Sequence, residues 1–347
     1  MNLRTLLEQH PVEASAPCRI DMGGTLDLST FYLSLRHLEP CTFNLALNLR
    51  TRVRLEPYLK GKIKISSVGF DSLEVDSRQM PFKSPLGLML AVAACFGADG
   101  VHIDIHSSSP PRSALGGSSV AAVALIWAFC KALASEGADM PEPKAVALLA
   151  QSIEQSIAGV PCGVQDQLAA AFGGVNGWYW VSDLMPPDFS RRRVVPESAY
   201  SELQRCILVA YCGIPHESKD VNATWVRQFV EGRHRERWHQ IVEQSRRFID
   251  AVGSGDYDSA ARAMNRETDI RRELTPDVLD DMGESLVSAA VRHGCGSRFT
   301  GAGGGGCIWA LGAPDRIADL RPVWRQLLAQ RQAAKLLDAS IDASGVL

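Results

Sequence analysis

Three stretches of the chain hold residue types whose spacing suits chemistry. The first, residues 110–129, reads PPRSALGGSSVAAVALIWAF and sets Gly116, Gly117, Ser118 and Ser119 at the mouth of an apolar run. A helix N-terminus carries unpaired N–H groups and a partial positive charge. Glycines just before it let the backbone approach a ligand closely, and the two together make an anion site, most often for phosphate. Ser118 or Ser119 can cap the helix, and a hydroxyl there can also reach a bound Mg²⁺. A plain capped turn would use the same residues. There is no GxxxxGK[ST] in the chain, so this is not a Walker loop.

The second stretch, FTGAGGGGCIWAL, places Gly301, Gly303, Gly304, Gly305 and Gly306 between two strand-like pieces. Glycines so placed predict backbone packed against backbone or against a ligand. The third supplies acids. Glu154 stands near the end of one expected helix and Asp166 in the first turn of the next, with the turn GVPCG between them. That arrangement can return both carboxylates to one pocket, and Mg²⁺ takes oxygen ligands, commonly one or two carboxylates plus substrate phosphates.

The elements that must position these groups follow from periodicity. Residues 41–56 and 101–107 alternate apolar and polar, and KIKISS follows a Lys-Gly turn; these predict strands of a half-buried sheet. Residues 86–96 and 118–135 predict buried helices. Another helix opens at Pro143 and closes at Gly159, and GVQDQLAAAF makes a short one. VNGWYWV and CILVAYC read as strands. Helices are expected at 219–231, 235–252, 256–264 and 277–293, then a strand SRFT, the glycines, a strand CIWAL and a last helix from Pro314. Residues 184–202 are proline-rich and poorly periodic, which places a domain junction there, with domains at 1–195 and 196–347. Strands and helices mixed without strict alternation predict an α+β protein.

Bulk properties narrow the class. The 347 residues are 46% hydrophobic with a net charge of −3, ample for two cores and without the basic excess of a nucleic-acid binder. Nine cysteines without a CxxC pair argue for a reducing cytoplasm and against a disulfide framework or zinc site. The N-terminal residues lack a secretory core, and the apolar runs read as too short for a membrane span. Arg191, Arg192 and Arg193 read as a solvated loop, and Trp178, Tyr179 and Trp180 as sheet packing. His216, Glu217, Ser218 and Lys219 read as a helix start capped by Ser218, or else as acceptor contacts in which Lys219 meets a phosphate.

The three stretches, together with APCRIDMGGTLDLSTFY at 16–32, resemble the ordered motifs of the GHMP kinase family. The resemblance implies an N-terminal domain with an unusual left-handed βαβ unit and a ferredoxin-like C-terminal domain. It implies ATP held by Pro111, Ser113, Ala114, Leu115, Gly116, Gly117, Ser118 and Ser119. Mg²⁺ would sit on Ser118 and Glu154, with Ser119 the alternative hydroxyl. Asp166 matches the acid beside the acceptor hydroxyl and Arg19 the arginine near it. Asp27, Gly24, Thr25, Gly163, Gln165, Gly303 and Gly304 are the acceptor contacts carried over.

GVPCGVQDQLAAAFGG and RIDMGGTLDL are similar to the sugar branch, the heptose-7-phosphate kinases and fucokinases above all. The first motif is one residue shorter than that branch's pattern, with Leu26 inserted and a glycine missing. In the second, Ala114 stands for a usual glycine and Gly117 for a usual serine. The implied reaction is ATP-dependent phosphorylation of a sugar or sugar-phosphate hydroxyl, the anomeric one first. The implied partners are small molecules, with no nucleic acid, no membrane and room for a homodimer. Galactose, fucose, mevalonate and homoserine kinases of the family, or a member that binds without catalysing, are the alternatives.

Overall fold

The computed structural model describes residues 3–159, 162–180, 189–215 and 221–347. A short helix α1 (Leu3–Gln9) leads into β1 (Val12–Met22), then α2 (Ser29–Ser34) and the long β2 (Cys41–Pro57). β3 (Lys62–Ser67), β4 (Leu73–Asp76), α3 (Gly87–Cys95) and β5 (Val101–Ser107) follow. Next come α4 (Gly117–Ala134), α5 (Pro143–Ala158), α6 (Gln165–Phe172), β6 (Val175–Tyr179) and β7 (Ser190–Arg193). These strands form one sheet in the order β4-β3-β5-β2-β6-β7, with β1 also paired to β2.

β2 is 17 residues long and is the spine of this sheet. It pairs antiparallel with β1, β5 and β6. β3 and β5 pair in parallel with α3 on the connection, a βαβ unit. The register of β1 against β2 shifts between Pro17 and Cys18. Such a bulge bends the strand and re-aims the side chains beyond it, and Arg19 is the second residue beyond it. α4 lies against β1 and β2 with Val120, Val123, Leu125 and Ile126 fully buried. It is long and apolar enough to cross a bilayer, contrary to the sequence expectation, but most of it is buried inside the fold.

The second half runs α7 (Tyr200–Arg205), β8 (Ile207–Tyr211), α8 (Val221–Val230), α9 (Arg235–Ser254), α10 (Tyr257–Leu274) and α11 (Asp281–Arg292). It ends with β9 (Gly296–Phe299), β10 (Cys307–Leu311), α12 (Pro314–Leu328) and β11 (Lys335–Leu336). Its antiparallel sheet has the order β11-β8-β10-β9, the ferredoxin-like order. The two halves share apolar packing: Phe43 of β2, Phe248 of α9 and Trp309 of β10 stack with ring centroids 5.1–6.4 Å apart. Residues after β11 return to the first sheet, where Leu347 and Ser15 exchange two backbone hydrogen bonds.

Several elements differ from the sequence expectation. α10 runs ten residues further than expected, to Leu274, because its buried Ala260, Ala263, Met264 and Ile270 continue the apolar stripe. Arg191–Arg193 is the exposed edge strand β7 rather than a loop; the arginines leave no flat edge open to pairing. Trp178 and Trp180 are buried as sheet packing. None of the nine cysteines is in a disulfide. His216, Glu217, Ser218 and Lys219 lie outside the described residues.

Candidate active site

A cavity of about 1080 Å³ opens between the 110–119 loop, the loop after β1, the start of α6 and the first residues of α8. Its wall includes Arg19, Asp27, Ser119, Glu154 and Asp166, drawn from four separate parts of the chain. β1 delivers Arg19, which is 3% exposed. Its Nε and Nη2 donate to the two carboxylate oxygens of Asp166, each at 2.8 Å, and its Nη1 donates to the carbonyl of Ala114 at 2.7 Å. The planar fork thus engages both carboxylate oxygens at once. Burial pulls the guanidinium toward neutrality, but Asp166 and Asp21 outweigh it and hold Arg19 above its ordinary range.

The loop before α4 is shaped by left-handed residues. Arg112, Ala114 and Gly116 have φ of 53°, 60° and 80°. Gly116 is the N-cap residue, and no side chain caps the helix. Ser118 and Ser119 therefore sit in the first turn instead of at the cap. The first-turn residues Gly117, Ser118 and Ser119 of α4 line the cavity. The glycine turn after β9 closes on this loop: a Cβ on Gly306 would lie 2.7 Å from the carbonyl oxygen of Ser113. Backbone against backbone is thus what these glycines permit.

Ser119, rather than Ser118, is the hydroxyl on Glu154. Ser119 Oγ donates to Glu154 Oε2 at 2.9 Å, and Gln167 Nε2 donates to the same oxygen at 2.8 Å. Ser118 is exposed one position earlier on the cavity wall. Burial, with Asp166 adding repulsion, raises the pKa of Glu154 despite these two donors. The buried Oε1 of Gln167 has no partner.

At the other end Asp27 is 5% exposed and accepts from the backbone N–H of Gln165 at 3.0 Å. Gly163 packs so closely that a Cβ there would lie 1.8 Å from Asp27 Oδ2. Burial pushes the Asp27 carboxyl up to about 6, with the Gln165 N–H opposing and Asp166 adding to the rise. Thr25, at a left-handed φ of 80°, lies 3.5 Å from Asn222 Oδ1 of α8.

The cavity wall takes in most of the residues expected of the site. It includes Pro111, Ser113, Ala114, Gly116, Gly117, Thr25, Gly163 and Gln165. Four expected residues face elsewhere. Leu115 is fully buried, its carbonyl accepting from Arg19 N–H. The Gly24 carbonyl accepts from Arg271 Nη2. Gly303 packs on Val278, and Gly304 N–H donates to the Val278 carbonyl. Gly301 and Ala302 stand on the cavity wall in their place. The sequence reading also missed Asp21, Gln167, Glu267, Arg271 and Arg298. The i,i+4 spacing of Glu267 and Arg271 was a signal, though such a pair usually lies on a solvated face.

Comparison with known proteins agrees with this architecture. Residues 84–174 match the model for the GHMP kinases N terminal domain, and residues 248–330 match the model for GHMP kinases C terminal. The chain belongs to the GHMP kinase family. It is 26% identical over 223 residues to the D-glycero-alpha-D-manno-heptose 7-phosphate kinase of Campylobacter jejuni, covering 62% of each chain. It is 30% identical over 257 residues to the galactokinase of Roseiflexus, covering 65% of this chain and 64% of that one. The match thus spans somewhat less than two thirds of the length of these curated relatives.

Among solved structures it superposes on a D-glycero-D-manno-heptose 1-phosphate kinase from Bacteriodes thetaiotaomicron with a TM-score of 0.73 and 19% identity, covering 96% and 97% of the two chains. It also superposes on the galactokinase of Lactococcus lactis complexed with galactose, with a TM-score of 0.71, 18% identity and 99% of each chain covered. Both establish the two-domain α+β fold.

The Glu154 carboxylate and the Ser119 hydroxyl are oxygen ligands of the kind a hard cation takes. No group of three His, Cys, Asp or Glu that could hold a metal occurs among the described residues. A divalent ion here would complete its shell with phosphate and water, as Mg²⁺ commonly does. A buried carboxylate whose pKa is raised, beside an unpartnered amide oxygen, fits that role.

Proposed function

We propose that the chain is an ATP-dependent kinase that transfers the γ-phosphoryl group to a hydroxyl of a sugar or sugar phosphate. The carrying observation is the Arg19–Asp166 pair in the cavity wall, tied to the 110–119 loop through Ala114. Phosphoryl transfer asks a protein mainly for positioning and charge neutralisation. The first-turn amides of α4 receive the phosphates. Glu154 and Ser119 hold the divalent ion, with Ser118 the alternative hydroxyl. A divalent ion held there would supply neutralisation of phosphate charge.

Asp166 accepts the proton of the attacking hydroxyl, or orients it, while keeping one oxygen on Arg19. Arg19 holds the carboxylate in place through both of its oxygens and offers positive charge to the developing alkoxide. Asp27, Thr25 and Asn222 are ring-hydroxyl partners at the far end of the cavity. We assign heptose 7-phosphate as the first acceptor to test, with attack by its anomeric hydroxyl. The likeness to the Campylobacter relative and the GVQDQLAAAFGG segment support this choice. We place the enzyme in the cytoplasm, a reading supported by its nine unbridged cysteines.

The test is ADP release with Mg·ATP across heptose 7-phosphate, galactose, fucose, mannose and mevalonate. Selective turnover of heptose 7-phosphate supports the full assignment. Turnover of a free sugar keeps the chemistry and moves the acceptor. Turnover of mevalonate alone, or of nothing while ATP still binds, overturns the sugar-kinase reading.

A further inference from the structure

Behind the cavity lies a chain of buried charges that the reaction above does not use. Asp21, on β1 two residues beyond Arg19, is fully buried. Its Oδ1 accepts from the Gly301 N–H at 2.8 Å, and its Oδ2 accepts from Arg298 Nη1 at 3.1 Å. Arg19 Nη1 stands 3.6 Å from Oδ1. Arg298, on β9, also donates to the Asp21 carbonyl at 3.3 Å and to the Phe299 carbonyl at 2.7 Å.

Arg298 Nε then donates to Glu267 of α10 at 2.8 Å, and Glu267 accepts from Arg271 Nε at 2.8 Å. Arg271 reaches back to the first half, donating to the Gly24 carbonyl and standing 3.4 Å from Thr25 Oγ1. Its guanidinium lies 4.6 Å over Trp225 and 4.9 Å over Trp238. Burial alone would raise the Glu267 carboxyl, but Arg298 and Arg271 hold it below the ordinary range.

The charges balance: Arg19, Arg271 and Arg298 against Asp21, Asp166 and Glu267. Balance explains why the network is tolerated, but not why it is there. A buried ion network rarely adds stability over a well-packed apolar core. What this one does add is geometry. Asp21 is the point where the arginine of the first motif, the glycine turn of the third and the second half's sheet meet. Gly301, which Asp21 holds by its N–H, is on the cavity wall beside Arg19, and a Cβ on Gly301 would lie 3.3 Å from the Ala114 carbonyl oxygen. Arg19 already spends donors on Asp166 and Ala114. The Asp21 charge on its far side fixes which way the guanidinium faces when phosphate arrives in front.

We infer that Asp21 and Arg298 are a pair of positioning residues, pinning the glycine turn to β1 and holding the Arg19 guanidinium in its reactive orientation across the two halves of the chain. The kinetic part of this inference rests on the kinase reading; the pinning of the turn does not.

The test is the double variant Asp21→Asn/Arg298→Met. It removes one charge of each sign, so the remaining Arg19, Arg271, Glu267 and Asp166 still balance and the chain is expected to fold. Arg298→Lys, which keeps the charge, is the conservative control. Exchange of the Gly301 amide is followed in the peptide covering 299–307, with 101–107 as an internal reference. The expected result is exchange at least tenfold faster in 299–307 of the double variant, with the reference unchanged. With the best acceptor of the screen, kcat falls at least tenfold while KM for Mg·ATP and acceptor stays within threefold and Tm holds near the parent. Arg298→Lys recovers part of the kcat.

Parent exchange at 299–307 in the double variant overturns the inference, whatever the acceptor screen returns. So does faster exchange with an unchanged kcat. A parallel fall of kcat and Tm, without recovery in Arg298→Lys, would show a purely structural role and overturn it too. A parent protein that turns over no acceptor sinks the kinase reading alone, and the exchange measurement still decides the pin.

Discussion

Arg19 holds both oxygens of Asp166 at 2.8 Å and is itself almost wholly buried, whereas Asp166 is 23% exposed to the cavity. The carboxylate faces the cavity and the guanidinium behind it is buried. The carboxylate is thus fixed in orientation at the cavity wall by a partner that does not itself open to the cavity. Asp166→Asn leaves Arg19 with a half-matched partner and removes the proton acceptor. We expect kcat to fall by about 10²–10⁴-fold, the usual worth of a positioned acid or base. Arg19→Lys cannot make the bidentate contact and should lose a comparable amount. Steady-state kinetics of both variants against the same acceptor check this, and parental kcat in Asp166→Asn would remove the base assignment.

The Glu154 site makes a separate prediction about metal. Its Oε2 takes donors from both Ser119 and Gln167. Glu154→Gln should raise the Mg²⁺ concentration needed for half-maximal rate by at least about tenfold, since one of the few protein ligands is lost. Gln167→Met removes one of the two donors to Glu154 Oε2, leaving Ser119, and also removes the unpartnered amide oxygen; a smaller shift in the same direction is expected. Ser119→Ala should resemble Gln167→Met, and Ser118→Ala should have less effect. A Mg²⁺ titration of activity separates these four, and a larger effect at Ser118 would reassign the hydroxyl.

How much of this was legible beforehand depends on where each residue's partners lie in the chain. β5 and the second half of β2 alternate because one face is buried, so their period is visible. β1 is buried along most of its length on both faces, so it has no alternation, and its Pro17, Arg19 and Asp21 read against a strand. The cavity residues of the second motif were legible because a glycine-serine loop before an apolar helix has a local meaning. The Ser119 choice was not, since it depends on how α4 is rotated toward α5. Asp21 and Arg298 were invisible for a stronger reason. A charged residue in a sequence is taken as solvated, and only the fold brings partners 277 positions apart within 3.1 Å.

The strained loop residues give a stability prediction. Ala114 sits at φ 60°, in the left-handed region that costs an L-residue about 1–2 kcal/mol. Ala114→Gly relieves this but loosens the unfolded chain by roughly 0.4–1 kcal/mol. A net gain of several tenths of a kcal/mol is expected, read by denaturant unfolding. Gly306→Ala is the opposite case. With φ at 83° and a Cβ 2.7 Å from the Ser113 carbonyl oxygen, it should destabilise by at least about 2 kcal/mol and disturb the 110–119 loop. A neutral Gly306→Ala would show that the two loops do not depend on each other.

Asp27 couples stability and activity with opposite signs. Its carboxyl is raised from 3.8 to about 6 by burial, so the folded protein holds this proton more tightly than the unfolded chain does. The favourable contribution is complete below pH 3.8 and fades as pH rises to about 6. Above that the fold carries a buried ionised carboxylate, a cost on the order of 1–3 kcal/mol. The ionised form is also the one that accepts a hydrogen bond from a sugar hydroxyl. The acceptor kcat/KM should therefore rise with pH through a step near 6. Asp27→Asn keeps an oxygen for the Gln165 N–H and removes the charge. It should raise stability at pH 7.5, flatten the step and lower kcat/KM for the acceptor at least about tenfold, with KM for ATP unaffected. Gly163→Ala, which pushes a methyl into the Asp27 carboxylate, should raise the acceptor KM without the gain in stability. A pH profile of Asp27→Asn that retains the step would assign it to another group and leave Asp27 as a structural acid.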